Sequence, residues 1–347
     1  MIIMYKNQKY NKIILFVATI IIVLTLAVLD LFNGAVKINL SEAINLLSNS
    51  HLENDYLSTI FFDIRLPRIL TAISAGLALS VSGLLMQTLF RNPLAGPYVL
   101  GVSSGAGLGV AFTVLGFSAF GLNYIELMGS GGTILAACLG SGFFMILIFA
   151  ISLKVRDVMT LLVSGMLLGA AASAVINVFQ FTSSEQSLKL FVIWTMGSLG
   201  STTWQQWELM TIVISAGIII SIFIAYPLNV WLLGDENARA SGVNIIKIQN
   251  LLFISTTLLA GSVTAFCGPL AFIGIAAPHI ARIISKTSDH RFLIPFSALV
   301  GIVMLLTADI LTQLPGSEFL LPINSTTSLL GIPIVLWIVL KGKKMWL

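Results

Sequence analysis

Ten apolar runs, each near the length of a bilayer crossing, fill most of this chain. They lie close to 13–32, 66–90, 98–120, 131–153, 158–181, 208–230, 246–267, 268–286, 293–313 and 323–340. A helix needs about 20 mostly apolar residues to cross the hydrocarbon layer, and charges or turn residues punctuate the chain at about that interval. The pair meeting at Cys267, Gly268 and Pro269 has no charge between its members, so the glycine-proline step alone separates them. Composition agrees: 57% of the 347 residues are apolar and 9% are charged, where a soluble domain carries roughly a quarter charged. The expected fold is all-α, one transmembrane domain over residues 1–347 with ten membrane helices.

Lys6, Lys9 and Lys12 precede the first run. A secretory signal also begins this way, but the run is long and lacks a small-residue cleavage site, which favours an uncleaved first helix. Cys138 and Cys267 lie in separate apolar runs, so neither a disulfide framework nor a thiolate metal site is indicated. Three histidines without clustered carboxylates or thiols make His279 part of a helix end rather than a metal ligand. No cofactor or metal is expected.

Orientation follows the distribution of lysine and arginine. With the N-terminus cytoplasmic, inner segments hold 14 of the 18 basic residues, and outer ones hold only Lys37, Arg65, Arg68 and Lys189. An even number of helices then places both termini inside, and the basic pI of about 9.1 reflects topology rather than nucleic-acid binding.

The stretch RNPLAGPYVLGVSSGAG, Arg91 to Gly107, becomes a cytoplasmic connection. Arg91, Asn92 and Pro93 form its turn, because proline disfavours helix at the preceding residue, and Gly96-Pro97 turns the chain into the third helix. Gly101, Gly105 and Gly109 recur every fourth residue and share a helix face, where a second backbone can approach closely. Gly101 to Gly105 also fits G-x-S-x-G, but without the strand-turn-helix setting that pattern requires, packing is the better reading.

Several motifs in one order resemble the FecCD-type permeases, the membrane subunits of ABC importers for iron-siderophores, haem and cobalamin. They are RLPRIL (65–70), GLLMQTLFRNPLAGPYVLGVSSGAGLG (83–109), LGDENARASGVN (233–244), GPLAFIGIAAPHIARI (268–283), DHR (289–291), LTADIL (306–311) and LLGIPIVLWIVLK (329–341). The resemblance implies a subunit of the bacterial plasma membrane that imports an iron-siderophore complex, with haem or cobalamin as alternative cargo. The implied partners are a second permease subunit, identical or homologous, two ABC ATPase subunits, and a substrate-binding protein that is periplasmic or lipid-anchored.

The residues agree with such a division of labour. No G-x-x-x-x-G-K-[ST] occurs, so nucleotide binding and hydrolysis belong to a partner and the chain is not itself an enzyme. Asp30, Glu208, Lys247, Arg282 and Asp309 all fall towards helix ends. An ion-coupled secondary transporter, the alternative class, generally needs such groups or unwound helices at the midplane. A membrane enzyme would need a reactive cluster near one face, and none stands out.

Within 233–245, Asp235 and Glu236 suit a helix N-terminus, Arg239 follows one turn on, and Gly242 suits a left-handed cap. A short cytoplasmic helix is therefore expected, and by resemblance it docks into a groove of the ATPase. The resemblance also makes Arg65 and Arg68 docking points for the binding protein, the connection from Arg156 to Thr160, with Val158 and Met159, a cytoplasmic gate, and Asn177 and Gln180 path-lining groups. Ordinary interhelical hydrogen bonding is the plainer role for those last two. Trp194, Trp204 and Trp207 around MGSLGSTTW read as interfacial aromatics, and by resemblance as part of the outer vestibule. Two positions depart from the family: Gln313, where cobalamin permeases carry a third outward arginine, and Asn324, where glycine is usual.

Overall fold

The computed structural model describes residues 2–34, 36, 38–39, 41–43, 46, 55–117, 124–155, 157–313 and 320–341. Among these residues the chain is helical throughout, with no strand. The helices are α1 (Ile2–Phe32), α2 (Leu66–Leu89), α3 (Val102–Ala111), α4 (Tyr124–Lys154), α5 (Val158–Thr182), α6 (Glu185–Met196), α7 (Trp204–Trp231), α8 (Asp235–Ala240), α9 (Ile245–Thr256), α10 (Ile273–Ser285), α11 (His290–Thr312) and α12 (Ile323–Lys341). Among the described residues, eight helical stretches are long and apolar enough to cross a membrane, and two shorter ones, Val102–Gly116 and Ile273–Ser285, occupy the third and eighth runs. The all-α membrane fold expected from the sequence is the fold observed. The last residues of the third run, 118–120, lie outside the described residues.

The break between the seventh and eighth runs is real. After Cys267 the backbone of Gly268 turns to φ +76° and helix resumes at Ile273. The tight spot around Gly268, where an added Cβ would sit 2.6 Å from the Trp194 carbonyl oxygen, demands glycine doubly.

The central pillar is α2, whose apolar window is 78% buried, against 17% for α5. Its neighbours are α11, α10 and α7. Lipid tails are as apolar as leucine, so helices in a membrane associate through close packing rather than by escaping water. Glycines supply that closeness here: a Cβ on Gly76 would lie 2.6 Å from the Gly301 carbonyl oxygen of α11, and one on Gly83 only 1.7 Å from the Gly274 carbonyl oxygen of α10. The glycine face anticipated on α3 behaves alike. Gly105 meets the Gly140 carbonyl oxygen of α4 at 2.5 Å and Gly109 that of Ala136 at 2.1 Å by the same measure, whereas Gly101 takes φ +76° at the turn before α3.

Among the described residues, three π-helical turns occur: Ile60–Arg65 leading into α2, Phe112–Gly116 continuing α3, and Thr257–Gly261 continuing α9 into the short helix Ser262–Cys267. Such turns arise where one extra residue is accommodated within an α-helix.

Candidate functional site

At one end of the bundle α7 runs into the short helix α8. Asp235 and Glu236 occupy its first turn and Arg239 its last. It closes in a Schellman motif: Gly242, at φ +79°, donates to the Arg239 carbonyl at 3.0 Å, and Val243 donates to that of Ala238 at 2.9 Å. The buried Ala238 seats the helix on the bundle, and Glu236 and Arg239 remain exposed. Asp235 turns back: its Oδ1 accepts from Arg91 Nη2 at 2.6 Å and from Trp231 Nε1 at 3.0 Å. Arg91 reaches it from a turn in which its own φ is +45°, just beyond the end of α2, where Asn92 Oδ1 caps the Leu94 N–H at 2.9 Å across Pro93.

A cleft of about 660 Å³ opens here, and Arg91, Asp157, Met159, Trp231, Asp235 and Arg239 are among its lining residues. The structure thus brings together the expected turn, one expected gate residue and two of the expected coupling residues. Asp157 caps α5, its Oδ2 accepting from the Thr160 hydroxyl at 2.7 Å and the Thr160 N–H at 2.9 Å, and these bonds hold its carboxyl below the usual range.

Sequence reasoning did not find the polar network beside this cleft. Asn229 of α7 accepts from the His290 backbone N–H at 2.8 Å and donates to Asp289 Oδ1 at 2.5 Å, which fixes its amide orientation. His290 Nδ1, 2.8 Å from the same Asn229 oxygen, must then carry the proton, and Nε2 faces the Thr88 hydroxyl of α2 at 2.8 Å. Next to Thr88, Gln87 accepts from Arg282 of α10 at 2.5 Å and donates to the Ile275 carbonyl at 3.0 Å. Helices α2, α7, α10 and α11 are therefore tied at the end that carries α8. Arg291, donating to both oxygens of Asp289, holds that carboxyl down to about 2, with the Asn229 bond adding to the effect. The sequence signal for this network was the DHR triplet, whose acid caps α11.

The opposite end has its own cluster. Arg68 Nε lies 2.8 Å from Asp309 Oδ2, and Arg68 Nη2 lies 2.5 Å from Oδ1 and 2.8 Å from the Thr312 hydroxyl. Asp309 is fully buried and the Arg68 side chain is 14% exposed. Arg65, also buried, donates to the Leu31 carbonyl at 2.6 Å and to the Val36 carbonyl. Gln313 donates to the buried Asp30 at 3.1 Å. Expected as docking points, Arg65 and Arg68 are turned into the chain, because the groups that satisfy their guanidinium ions are the Leu31 carbonyl of α1, the Val36 carbonyl just beyond it, and Asp309 and Thr312 of α11.

A sequence model of the FecCD transport family matches residues 20–341. The chain belongs to that family. It is 37% identical over 292 residues to the hemin transport system permease protein HmuU of Yersinia pestis, covering 84% of this chain and 86% of the relative. The vitamin B12 import system permease protein BtuC of Salmonella typhi is 37% identical over 288 residues, 82% of this chain and 84% of the relative. An inward-facing structure described as a metal-chelate type ABC transporter superposes with a TM-score of 0.80 at 27% identity, over 94% of this chain and 98% of that one. The chain is thus the multi-pass membrane permease of an ABC importer, a protein of the bacterial plasma membrane that works with an ATPase.

The remaining expected positions of the permease are scattered. Asn177 is exposed on α5 and Gln180 is half-buried. Met159 is 59% exposed at the head of α5, while Arg156 and the Val158 side chain lie outside the described residues. Asn324 is not a defect at the start of α12: its Oδ1 accepts the Ala271 N–H at 3.1 Å, bracing the break before α10. The helix α6 was not anticipated. It is capped by the Ser184 hydroxyl, and its Trp194 lines an apolar cavity of about 520 Å³ with Phe266 and Cys267. Trp204 and Trp207 instead begin α7 and donate to the Phe62 carbonyl at 2.9 Å and the Ser74 hydroxyl at 3.2 Å.

Proposed function

We propose that this permease imports an iron-siderophore complex, with two copies of the chain enclosing the path and two separate ATPases supplying the energy. The observation that carries the cargo class is the likeness over 94% of the chain to a transporter described as metal-chelate type. Haem is the second reading, favoured by the similarity to HmuU. Both are chelated iron. All ten apolar segments cross the membrane in this reading, with both termini and α8 in the cytoplasm, as the 14 to 4 division of basic residues requires. The weakly buried α5 faces the second copy, placing Asn177 and Gln180 beside the path and Val158 and Met159 at its cytoplasmic gate. The binding protein docks at the far end, and Arg65 and Arg68 serve that docking through the shape they hold rather than by offering free charge.

The cargo is tested in proteoliposomes containing the permease, its ATPase and its binding protein, by ATP-driven uptake of a ferric siderophore, haem and cobalamin. Siderophore uptake is the expected result. Uptake of haem or cobalamin alone would overturn the assignment while leaving the importer reading intact.

The ATPase meets α8 at Glu236 and Arg239, which are exposed on a helix otherwise anchored through Ala238 and Asp235. Arg239→Glu is expected to cut transport at least tenfold and to weaken co-purification of the ATPase, because a reversed charge at a docked surface costs several kcal/mol. Normal transport at wild-type stoichiometry would remove Arg239 from the interface.

A further inference from the structure

At the end of the bundle that carries α8, α1 and α11 leave a shallow groove lined by Lys12, Ile13, Phe16, Val17 and Phe292, with a volume of about 320 Å³. Its walls are apolar except at one end. Ile13 and Val17 are about half exposed, and Phe16 and Phe292 face each other with ring centroids 6.4 Å apart. Lys12 stands at the mouth, its ammonium 5.2 Å from the centre of the Phe292 ring and 3.5 Å from the Thr287 hydroxyl. The chain neighbour of Thr287 is Lys286, exposed at the left-handed cap of α10. Neither lysine forms an ion pair among the described residues, whereas Asp289 nearby is committed to Arg291 and Asn229.

Depth fixes what this shape means. The apolar run of α1 starts directly after Lys12 and that of α11 directly after Arg291. Lys12 meets Phe292 at one end and Asn33 donates to the Ile310 carbonyl at the other, so the two helices run parallel and the groove occupies the first turns of both apolar runs. One cation, Lys12, therefore stands at the mouth of an apolar channel just where both apolar runs begin, and a second, Lys286, adjoins the threonine that Lys12 bonds. We propose that this groove binds one anionic phospholipid, its acyl chain lying along Ile13, Phe16, Val17 and Phe292 and its phosphate received by Lys12 and Lys286. Cations of this kind favour anionic over zwitterionic lipid, and the phenyl ring under Lys12 holds the ammonium in place. The partner is a lipid rather than a free phosphate because the larger part of the site is hydrocarbon.

The test uses the full-length permease purified in mild detergent, titrated with phosphatidylglycerol or phosphatidylcholine of identical chains, and read by native mass spectrometry. Wild-type protein should retain one phosphatidylglycerol with a preference of roughly tenfold or more, the size expected of two lysines at an anionic surface. Lys12→Gln with Lys286→Gln should bring the preference to near unity while leaving phosphatidylcholine retention unchanged. Val17→Trp, which keeps both charges and fills the groove, should lower retention of both lipids. An unchanged preference in the double variant, or competition by glycerol phosphate as effective as by the whole lipid, would overturn the proposal.

Discussion

Asparagine in place of Asp309 is expected to prevent recovery of a stable folded permease. The carboxylate is wholly buried and bonded through both oxygens to Arg68, whose guanidinium has little access to solvent. Removing one member of a buried ion pair leaves the other charge uncompensated, which costs about 3–5 kcal/mol. Set against total stabilities of roughly 5–15 kcal/mol, that is a large share. Asp30 belongs to the same cluster and interacts with both Arg68 and Asp309, so it recovers only part of the loss, being engaged with Gln313. The pair as a whole is another matter: Arg68→Met with Asp309→Leu removes both charges together and is expected to lie much nearer wild type. Thermal unfolding of the detergent-purified variants checks both. A single variant as stable as wild type would show that water or Asp30 already serves Arg68, and the buried-pair account would be wrong.

The second large effect is expected from one methyl group. In Gly83→Ala the new Cβ would lie 1.7 Å from the Gly274 oxygen and 2.4 Å from its carbonyl carbon. Both are backbone atoms, so no rotamer change relieves the clash and α2 and α10 must separate. Overpacking of an ordinary core costs about 1–3 kcal/mol, and more where the obstacle is rigid. Separation would also strain the bonds between Gln87 and α10, so the damage should reach the end of the bundle that carries α8. Gly142 of α4 is the control, because nothing lies within 4 Å of a Cβ added there. Gly142→Ala should leave the melting temperature unchanged or raise it slightly, alanine being the better helix former by about 1 kcal/mol. Equal behaviour of the two variants would refute the close approach of α2 to α10.

What the sequence disclosed was local. Helix α8 could be anticipated because its start, its end and its left-handed cap are written in consecutive residues, Asp235 to Gly242. The glycine face of α3 was legible for the same reason, since a four-residue spacing fixes a helix face without knowledge of the partner. The inward setting of Arg68 was not legible because its partner Asp309 stands 241 residues away, and nothing near Arg68 says whether its charge points out or in. Gly83 and Gly274 posed the same difficulty: each looks like an isolated glycine until the two helices are laid together. Helix α6 escaped notice because twelve residues with a charged first turn do not resemble a crossing. The π-helical turns were invisible because an inserted residue leaves the hydrophobic run intact.

Those π-helical turns change how the chain can vary over time. A residue added to an ordinary α-helix rotates everything beyond it by about 100°, carrying the buried face into lipid. At Ile60–Arg65, Phe112–Gly116 and Thr257–Gly261 the surplus is absorbed within a single turn, and the helix beyond keeps its heading. These are the places inside the bundle where the chain can lose a residue and still present the same faces to its neighbours. Related sequences can therefore differ in length within a crossing, and not only in their loops, without any helix having turned.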